Sequence, residues 1–337
     1  MKSISVVILN YNGAEMLKSF LPILLRNTLP MAQVVVADNA STDDSVDVMQ
    51  SLFFDVPLIR LEQNWGFAEG YNRALQQVKS DYYVLLNSDV EVTDGWLRPL
   101  IETMEADDTI AACQPKVLDY KRKTHFEYAG AAGGFVDRYG YPYCRGRVFD
   151  TVEEDKAQYD TPCDIFWATG AALMIRSVDY RNVGGLDERF FAHMEEIDLC
   201  WRLRARSRRV VCVPQSTVYH VGGATLNYNS PRKTYLNFRN NLLMLYKNLP
   251  DGDLFKVMLF RAVLDYVAAF KFLLSGDGAA FKAVVKARAD FRRMKNLYAD
   301  VRKKNLECTT AELPVTSRFS ILWKYYVCGC KYYAQLK

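Results

Sequence analysis

Tyr82-Tyr83-Val84-Leu85-Leu86-Asn87-Ser88-Asp89 is an apolar run that ends on a polar triplet with one carboxylate. Ser80-Asp81 precedes it and Asp94-Gly95 follows, so the run has the length and borders of a buried, parallel-type strand. Asn87 and Asp89 then stand where the strand stops. Ligands of open α/β sheets bind in the crevice beyond the carboxyl ends of the strands. A hard carboxylate there suits a divalent cation that carries a phosphate. A polar turn with Asp89 as a helix cap accounts for the same residues, so the neighbouring segments decide.

Those segments repeat the pattern. Ile4–Leu9 is an apolar strand that leaves through Asn10-Tyr11-Asn12-Gly13. Met16, Leu17, Phe20, Leu21, Leu24 and Leu25 follow at helical spacing. Val34-Val35-Val36 exits through Asp38-Asn39-Ala40-Ser41-Thr42-Asp43, which supplies helix-capping residues. Pro57–Leu61 is a third strand, and Asn64-Trp65-Gly66-Phe67 turns into a helix reaching about Val78. This alternation predicts an α/β fold with a Rossmann-like, mostly parallel sheet flanked by helices. Asn10, Asp38, Asn64 and Asp89 should converge on one edge. Neither G-x-G-x-x-G nor G-x-x-x-x-G-K-[ST] occurs, which removes the main support for dinucleotide and P-loop chemistry.

Beyond the fourth strand the pattern loosens. Residues 110–165 are rich in glycine and tyrosine and suggest loops and short strands. Thr169–Ile175, Val210–Val213 and Thr217–His220 are expected strands, and Glu195–Arg206 and Pro231–Leu249 expected helices. Residues 1–249 form one expected domain and residues 250–337 a helical extension.

The 337 residues are globular in composition, with 50% hydrophobic and 24% charged. The charge is uneven. Residues 251–337 hold 16 Lys+Arg against 8 Asp+Glu, and the first 250 hold 27 against 31. A basic C-terminal segment points to an anionic surface or to a solvated face. Leu254–Leu274 is apolar but carries Lys256, Arg261, Asp265 and Lys271, which suits an interfacial or packed helix better than a membrane span. Aromatic and basic residues mix over Phe319–Tyr333, as at a membrane interface. No recognised nucleic-acid module is present, so nucleic acid is not an expected partner. Eight scattered cysteines without a C-x-x-C pair argue against a zinc site or a disulfide scaffold. With no secretory signal evident at Met1, a cytoplasmic location is expected.

A second polar constellation lies at Asp187–Asp198, where Glu195-Glu196 follows Phe190-Phe191. Acids near a helix start are commonly caps or dipole partners. A carboxylate held against aromatic rings also has its pKa raised and can act as a general base. His220, one of three histidines, ends an expected strand before Gly222-Gly223, where it can be structural or can ligate a cation.

Taken together, Val7–Asn12, Val36–Asp43, Asn64–Ala68, Leu86–Asp89, Gly170-Ala171 and Phe190-Phe191 leading to Glu195–Leu199 resemble the family-2 glycosyltransferases of the GT-A fold, in the bacterial rhamnosyltransferase-like branch. The resemblance spans about residues 3–249. It implies an inverting transfer from a nucleotide-diphosphate sugar to a hydroxyl of a glycan or polyprenyl-linked acceptor in cell-surface polysaccharide synthesis, assisted by a divalent cation (Mg2+ or Mn2+). Asn10, Tyr11, Asp38, Asn64, Gly66, Asn72, Arg73, Asn87 and Asp89 fall on its donor-binding positions. Asp89 and His220 fall on its metal positions. Trp167, Thr169 and Gly170 fall where the family shapes the acceptor pocket, with the Trp167 ring available to stack on a sugar. Glu195-Glu196 occupies the family's Glu-Asp pair, whose second acid is the base, so Glu196 is the expected base and Glu195 the other candidate. A glycan-synthesis role also implies peripheral contact of the basic extension with the inner face of the cell membrane. A sugar nucleotidyltransferase shares the fold class but calls for a basic, glycine-rich loop that Asn10-Tyr11-Asn12-Gly13 lacks. A non-catalytic nucleotide-sugar or polysaccharide-binding module needs no acid pair.

Overall fold

The computed structural model describes residues 2–222, 230–310 and 317–336. Strands β1 (Ile4–Asn10), β2 (Gln33–Asp38), β3 (Leu58–Arg60) and β4 (Tyr82–Asn87) alternate with helices α1 (Ala14–Thr28), α2 (Ser45–Leu52) and α3 (Gly66–Gln76). The four strands pair in parallel in the order β3-β2-β1-β4. Alternate residues feed two cores, one on each face of the sheet. Val7 and Leu85 enter one, and Val6, Ile8, Val84 and Leu86 enter the other. Burial on both faces explains why these strands are continuous apolar runs.

Past β4 the sheet becomes mixed. β5 (Val90–Val92), α4 (Leu97–Ala106) and β6 (Ile110–Asp119) come next in the chain. β7 (Gly134–Val136), β8 (Pro142–Cys144), β9 (Arg147–Val148) and β10 (Thr151–Val152) form a separate small antiparallel sheet. β11 (Cys163–Asp164), β12 (Ala172–Arg176), α5 (Ser177–Asn182), α6 (Glu195–Ala205) and β13 (Arg209–His220) complete the sheet-bearing part. β12 runs antiparallel to both its neighbours, β4 and β6. The two short strands expected at 210–213 and 217–220 are one strand, β13, whose register against β6 shifts between Val213 and Thr217. Pro214 lies in that interruption and has no N–H for the ladder. The other end of β13 positions the site, because β5 pairs with it so that Val90 faces His220. That pairing brings Asp89 beside the histidine.

Helices α7 (Pro231–Asn248), α8 (Asp251–Leu274), α9 (Gly278–Met294) and α10 (Ala299–Glu307) follow. α9 lies against both α7 and α8. α8 is inside out. Its buried face carries Arg261 and Asp265, joined to each other and to Arg288 of α9. Its exposed face carries Phe255, Leu259, Phe260, Val263, Val267 and Phe270. No helix among the described residues is long and apolar enough to cross a membrane. The last residues return to the body, where Ile321, Tyr325 and Leu336 pack on Tyr143 and Val148, and the Ile321 N–H donates to Asp137 Oδ2 at 2.8 Å.

Candidate active site

The strand exits are tied together by their own amides. Asn10 Nδ2 donates to Asp38 Oδ1 at 3.2 Å, and the Ser41 N–H donates to Asp38 Oδ2 at 3.0 Å. Asn39 bridges to the next exit: its Nδ2 donates to Asn64 Oδ1 at 3.2 Å and to the Gly66 carbonyl at 3.0 Å. Asn10 Oδ1 is buried without a hydrogen-bond partner. Gly66, at φ +75°, opens α3, and a Cβ there would lie 2.5 Å from the Phe191 ring. Tyr11 is exposed at the β1 exit. The Arg73 guanidinium lies 3.6 Å from the Trp65 ring centroid and pairs with Glu69 at 2.7 Å.

Asp89 is buried, 3.2 Å from Nε2 of His220. Asn87 Nδ2 stands 3.4 Å from the same nitrogen. Glu127, also buried, lies 3.4 Å from Nδ1 on the other side of the ring. Burial raises the Asp89 carboxyl, but the hydrogen bond and charge of His220 outweigh it and hold Asp89 below the usual carboxylate range. Burial also disfavours charge on His220. Glu127 and Asp89 override it and push the imidazole up to about 10. The His220 ring is thus sandwiched between the two acids, Asp89 at Nε2 and Glu127 at Nδ1.

These residues fit a divalent cation of one kind. Among the described residues no group of three His, Cys, Asp or Glu side chains could hold an ion unaided. Asp89 offers a hard oxygen and His220 a ring nitrogen whose far side meets Glu127, the arrangement that orients ligating imidazoles. Such a pair suits an ion that completes its shell with phosphate oxygens and water.

The acid pair sits on a different kind of support. Phe191, His193 and Met194 all have left-handed backbones, at φ 65°, 72° and 73°. Non-glycine residues in that region cost about 1–3 kcal/mol each and persist only where their surroundings over-determine them. α7 supplies that restraint. Asn240 Nδ2 donates to the carbonyls of Phe190, Ala192 and His193 at 3.0, 2.9 and 2.8 Å. Arg239 Nη2 donates to those of Arg189 and Phe190 at 2.9 and 3.1 Å. From the other side, the Phe67 and Ala68 N–H groups at the start of α3 donate to the Phe191 carbonyl at 2.6 and 3.2 Å. α6 then begins with Glu195-Glu196.

Neither glutamate has a salt-bridge partner among the described residues, and one oxygen of each is buried and unbonded. Burial, reinforced by the charge of Glu196, raises Glu195 well above the ordinary range. Burial raises Glu196 to about 7. Asp198, one turn on, is the opposite case: Lys247, Arg202 and Asn248 hold it at 2.8, 2.9 and 2.8 Å, and the charges of Lys247 and Arg202 with these hydrogen bonds overcome its burial to keep it low. His193 stays neutral, pushed down to about 4 by burial and by Lys233.

The two corners adjoin. The Asn87 N–H donates to the Ala171 carbonyl at 3.0 Å. A Cβ on Gly170 would meet the Phe67 ring at 3.1 Å, and Phe67 is bound to Phe191. Lys233 lies within electrostatic reach of both Glu127 and His193.

Two expected site residues are committed elsewhere. Asn72 is spent on the 180–186 turn, donating to the Leu186 carbonyl at 2.9 Å and accepting from the Leu186 N–H and the Tyr180 hydroxyl at 3.0 and 2.7 Å. Trp167 does not offer its ring to a sugar. It is 3% exposed, lies on Gly134, and donates Nε1–H to the Phe135 carbonyl at 3.0 Å. Thr169 is buried too and accepts from the Ala171 N–H at 3.2 Å. Glu127 and the Arg239-Asn240 clamp went unrecognised. Glu127 is a lone acid in an irregular stretch and carries no periodic signal. Arg239-Asn240-Asn241 did carry one: three consecutive polar residues running directly into the apolar Leu242–Leu245 of the same helix.

Residues 5–171 match the family model described as glycosyl transferase family 2. The N-acetylglucosaminyl-diphospho-decaprenol L-rhamnosyltransferase of Mycobacterium tuberculosis is 24% identical over 229 residues, which cover 64% of this chain and 75% of that protein. Among solved structures, S. aureus TarS 1–349 in complex with UDP-GlcNAc aligns over 98% of this chain and 93% of its own at 16% identity, with a TM-score of 0.57. A mannosyltransferase from Pyrobaculum calidifontis in complex with GDP-Man and Mn2+ aligns over 92% and 86% at 14% identity, with a TM-score of 0.53. At these identities the structural likeness is one of fold, and that fold is GT-A.

Proposed function

The chain belongs to glycosyl transferase family 2, and from that premise we propose that it is an inverting, cation-assisted transferase. It moves a sugar from a nucleotide diphosphate to a hydroxyl of a glycan or polyprenyl-diphosphate acceptor. The observation that carries this is the pairing of two unlike corners: Asp89 held ionised against His220, and the buried Glu195 beside the half-buried Glu196, neither paired with a cation among the described residues.

Each corner suits one half of a displacement. Negative charge grows on the departing diphosphate, and fixed positive charge is worth most where it develops. Asp89 and His220 would hold the divalent cation, which supplies Lewis acidity to the diphosphate when bound. Glu127 orients the imidazole. Asn10, with its unbonded Oδ1, Asp38 and the Asn64–Gly66 turn bind the nucleotide, helped by Tyr11 and Arg73. On the acceptor side, Glu196 accepts the proton from the attacking hydroxyl. Its pKa near 7 matches the usual optimum for a general base. Burial and the charge of Glu196 favour the protonated form of Glu195, which limits repulsion within the pair. One base, with no nucleophile assigned opposite it among the described residues, implies single displacement and inversion. Gly170 walls the acceptor side beside Phe67.

Residues 1–249 act as the catalytic domain and 250–337 as an extension that meets the membrane. The exposed apolar stripe of α8, with Arg261 and Asp265 turned inward and Lys256 and Lys271 left exposed, supports a peripheral seat on a lipid surface. Phe260→Ser with Val267→Ser should lower recovery on phospholipid vesicles; unchanged recovery would remove this part.

The decisive experiment incubates the full chain with a panel of nucleotide sugars and a lipid-diphosphate glycan acceptor, with Mn2+ or with chelator. One donor should be consumed only with the metal, and proton NMR should report an inverted anomeric centre in the product. Retained configuration, or no donor consumed, would contradict the proposal.

A further inference from the structure

We infer that the groove between α7 and α9 binds the phosphate group of an amphipathic, isoprenoid-type acceptor beside the acid pair; this rests on the transferase reading above and names where its acceptor sits. The groove encloses about 540 Å3. Phe191, of the strained loop that leads to Glu195, forms part of its wall. A ligand seated there therefore touches the segment that positions the base.

Its lining has two chemistries. Leu236, Ala279 and Ala283 make an apolar side, and Arg232, Arg239, Lys282 and Lys286 supply four cations. Arg239 is buried and already engaged with backbone carbonyls. The other three are exposed, and none has a carboxylate within ion-pairing distance among the described residues. Arg232 lies 4.7 Å from the Phe191 ring centroid, and Lys286 lies 5.3 Å from that of Tyr235. Asp290, four residues on from Lys286 in α9, is taken up by the Tyr235 hydroxyl at 2.8 Å and by Arg293 at 3.4 Å.

Lys282 and Lys286 stand four residues apart on one helix face. Like charges at that spacing are destabilising by themselves. A bound anion reverses the sign, and charge-assisted hydrogen bonds from lysine and arginine favour phosphate oxygens. An apolar wall next to three unpaired cations fits a ligand that is anionic at one end and hydrocarbon at the other. A free sugar or an uncharged glycan would leave the cations unused.

The test measures binding of farnesyl diphosphate to the full chain by calorimetry, with farnesol and inorganic diphosphate as partial probes. Lys282→Gln/Lys286→Gln should weaken farnesyl diphosphate by roughly tenfold or more, and farnesol should bind at least that much more weakly than farnesyl diphosphate. Lys303→Gln/Lys304→Gln on α10 removes the same charge elsewhere and should have no effect. Inorganic diphosphate should bind more weakly than farnesyl diphosphate, since it leaves the apolar wall uncovered. Equal loss in both lysine pairs would reduce the groove to general surface charge and overturn the inference. So would equal binding of farnesol, or loss in Asp89→Asn with binding retained in the groove variant. An effect confined to phosphatidylglycerol vesicles would assign the cations to the membrane and overturn it as well. Donor consumption by the unaltered chain separates the two levels. If a donor is consumed but the groove variant binds normally, the groove fails alone; if none is consumed while groove-dependent binding persists, the transferase reading fails alone.

Discussion

The two corners of the site are built from the same side chains to opposite effect. At Asp89 each buried charge has a partner: His220 lies between two carboxylates, on strands of the main sheet and the turn after β6. At Glu195-Glu196 the carboxylates have no cationic partner among the described residues, and the loop before them is held in an unfavourable backbone by a neighbouring helix. Burial is common to both. Partners decide whether a buried acid is kept ionised or pushed toward neutrality, and Asp198 shows this within one helix, three residues from Glu195.

The largest effect is expected at the paired corner. Asp89→Asn removes the carboxylate that holds His220 and should lower transfer by about 10²–10³, with donor affinity falling alongside; calorimetry with the nucleotide sugar and a product assay measure both. Transfer unchanged in that variant would make the sandwich purely structural.

The second effect addresses the strained side. Asn240→Ala frees three loop carbonyls without touching substrate. It should lower kcat by about 10-fold or more, since small misplacements of catalytic groups are costly, while the donor KM holds. Asn240→Asp, an acceptor facing three carbonyls, should be worse. If kcat and KM change together in proportion to lost thermal stability, the clamp supports folding and not alignment.

A smaller effect concerns stability. Glu195 keeps its proton to higher pH in the folded chain than in the unfolded one, where it titrates near its model value of 4.5. The unfolded state therefore releases the proton first as pH rises, and the folded state loses stability. Glu195→Gln removes that penalty. Its melting temperature should exceed that of the unaltered chain by about 2 °C at pH 8 and by less at pH 5. A gain that is the same at both pH values would mean that the acid is not held protonated by its surroundings.

The paired corner was more legible in the sequence than the strained one. Asp89 ends an apolar run whose neighbours repeat the same strand–exit pattern, so its place on the sheet edge follows from local periodicity. His220 was visible as a strand end, but its contact with Asp89 depends on β5 pairing with β13, a long-range register that no window of sequence contains. Glu127 depends on another long-range pairing: its N–H donates to the Val117 carbonyl of β6, which runs beside β13. The acids at Glu195-Glu196 were visible as a cluster, whereas the loop that aims them depends on Asn240, some 45 residues later. Trp167 shows the reverse failure. An aromatic at a family position looked available for stacking, and the bare backbone of Gly134 let the indole sink into the core. In α8, hydropathy alone identified the helix but not which side carried the charges, because Arg261 and Asp265 turn inward to meet Arg288.

The contrast between the corners is tested most directly by the pH dependence of transfer at saturating donor, measured in the unaltered chain and in Glu196→Gln. The unaltered chain should gain activity as pH rises and level off above about 7, where Glu196 loses its proton. Glu196→Gln should lose that limb and run about 10²-fold more slowly while still binding the donor. The same limb at an unchanged rate in Glu196→Gln would contradict the assignment.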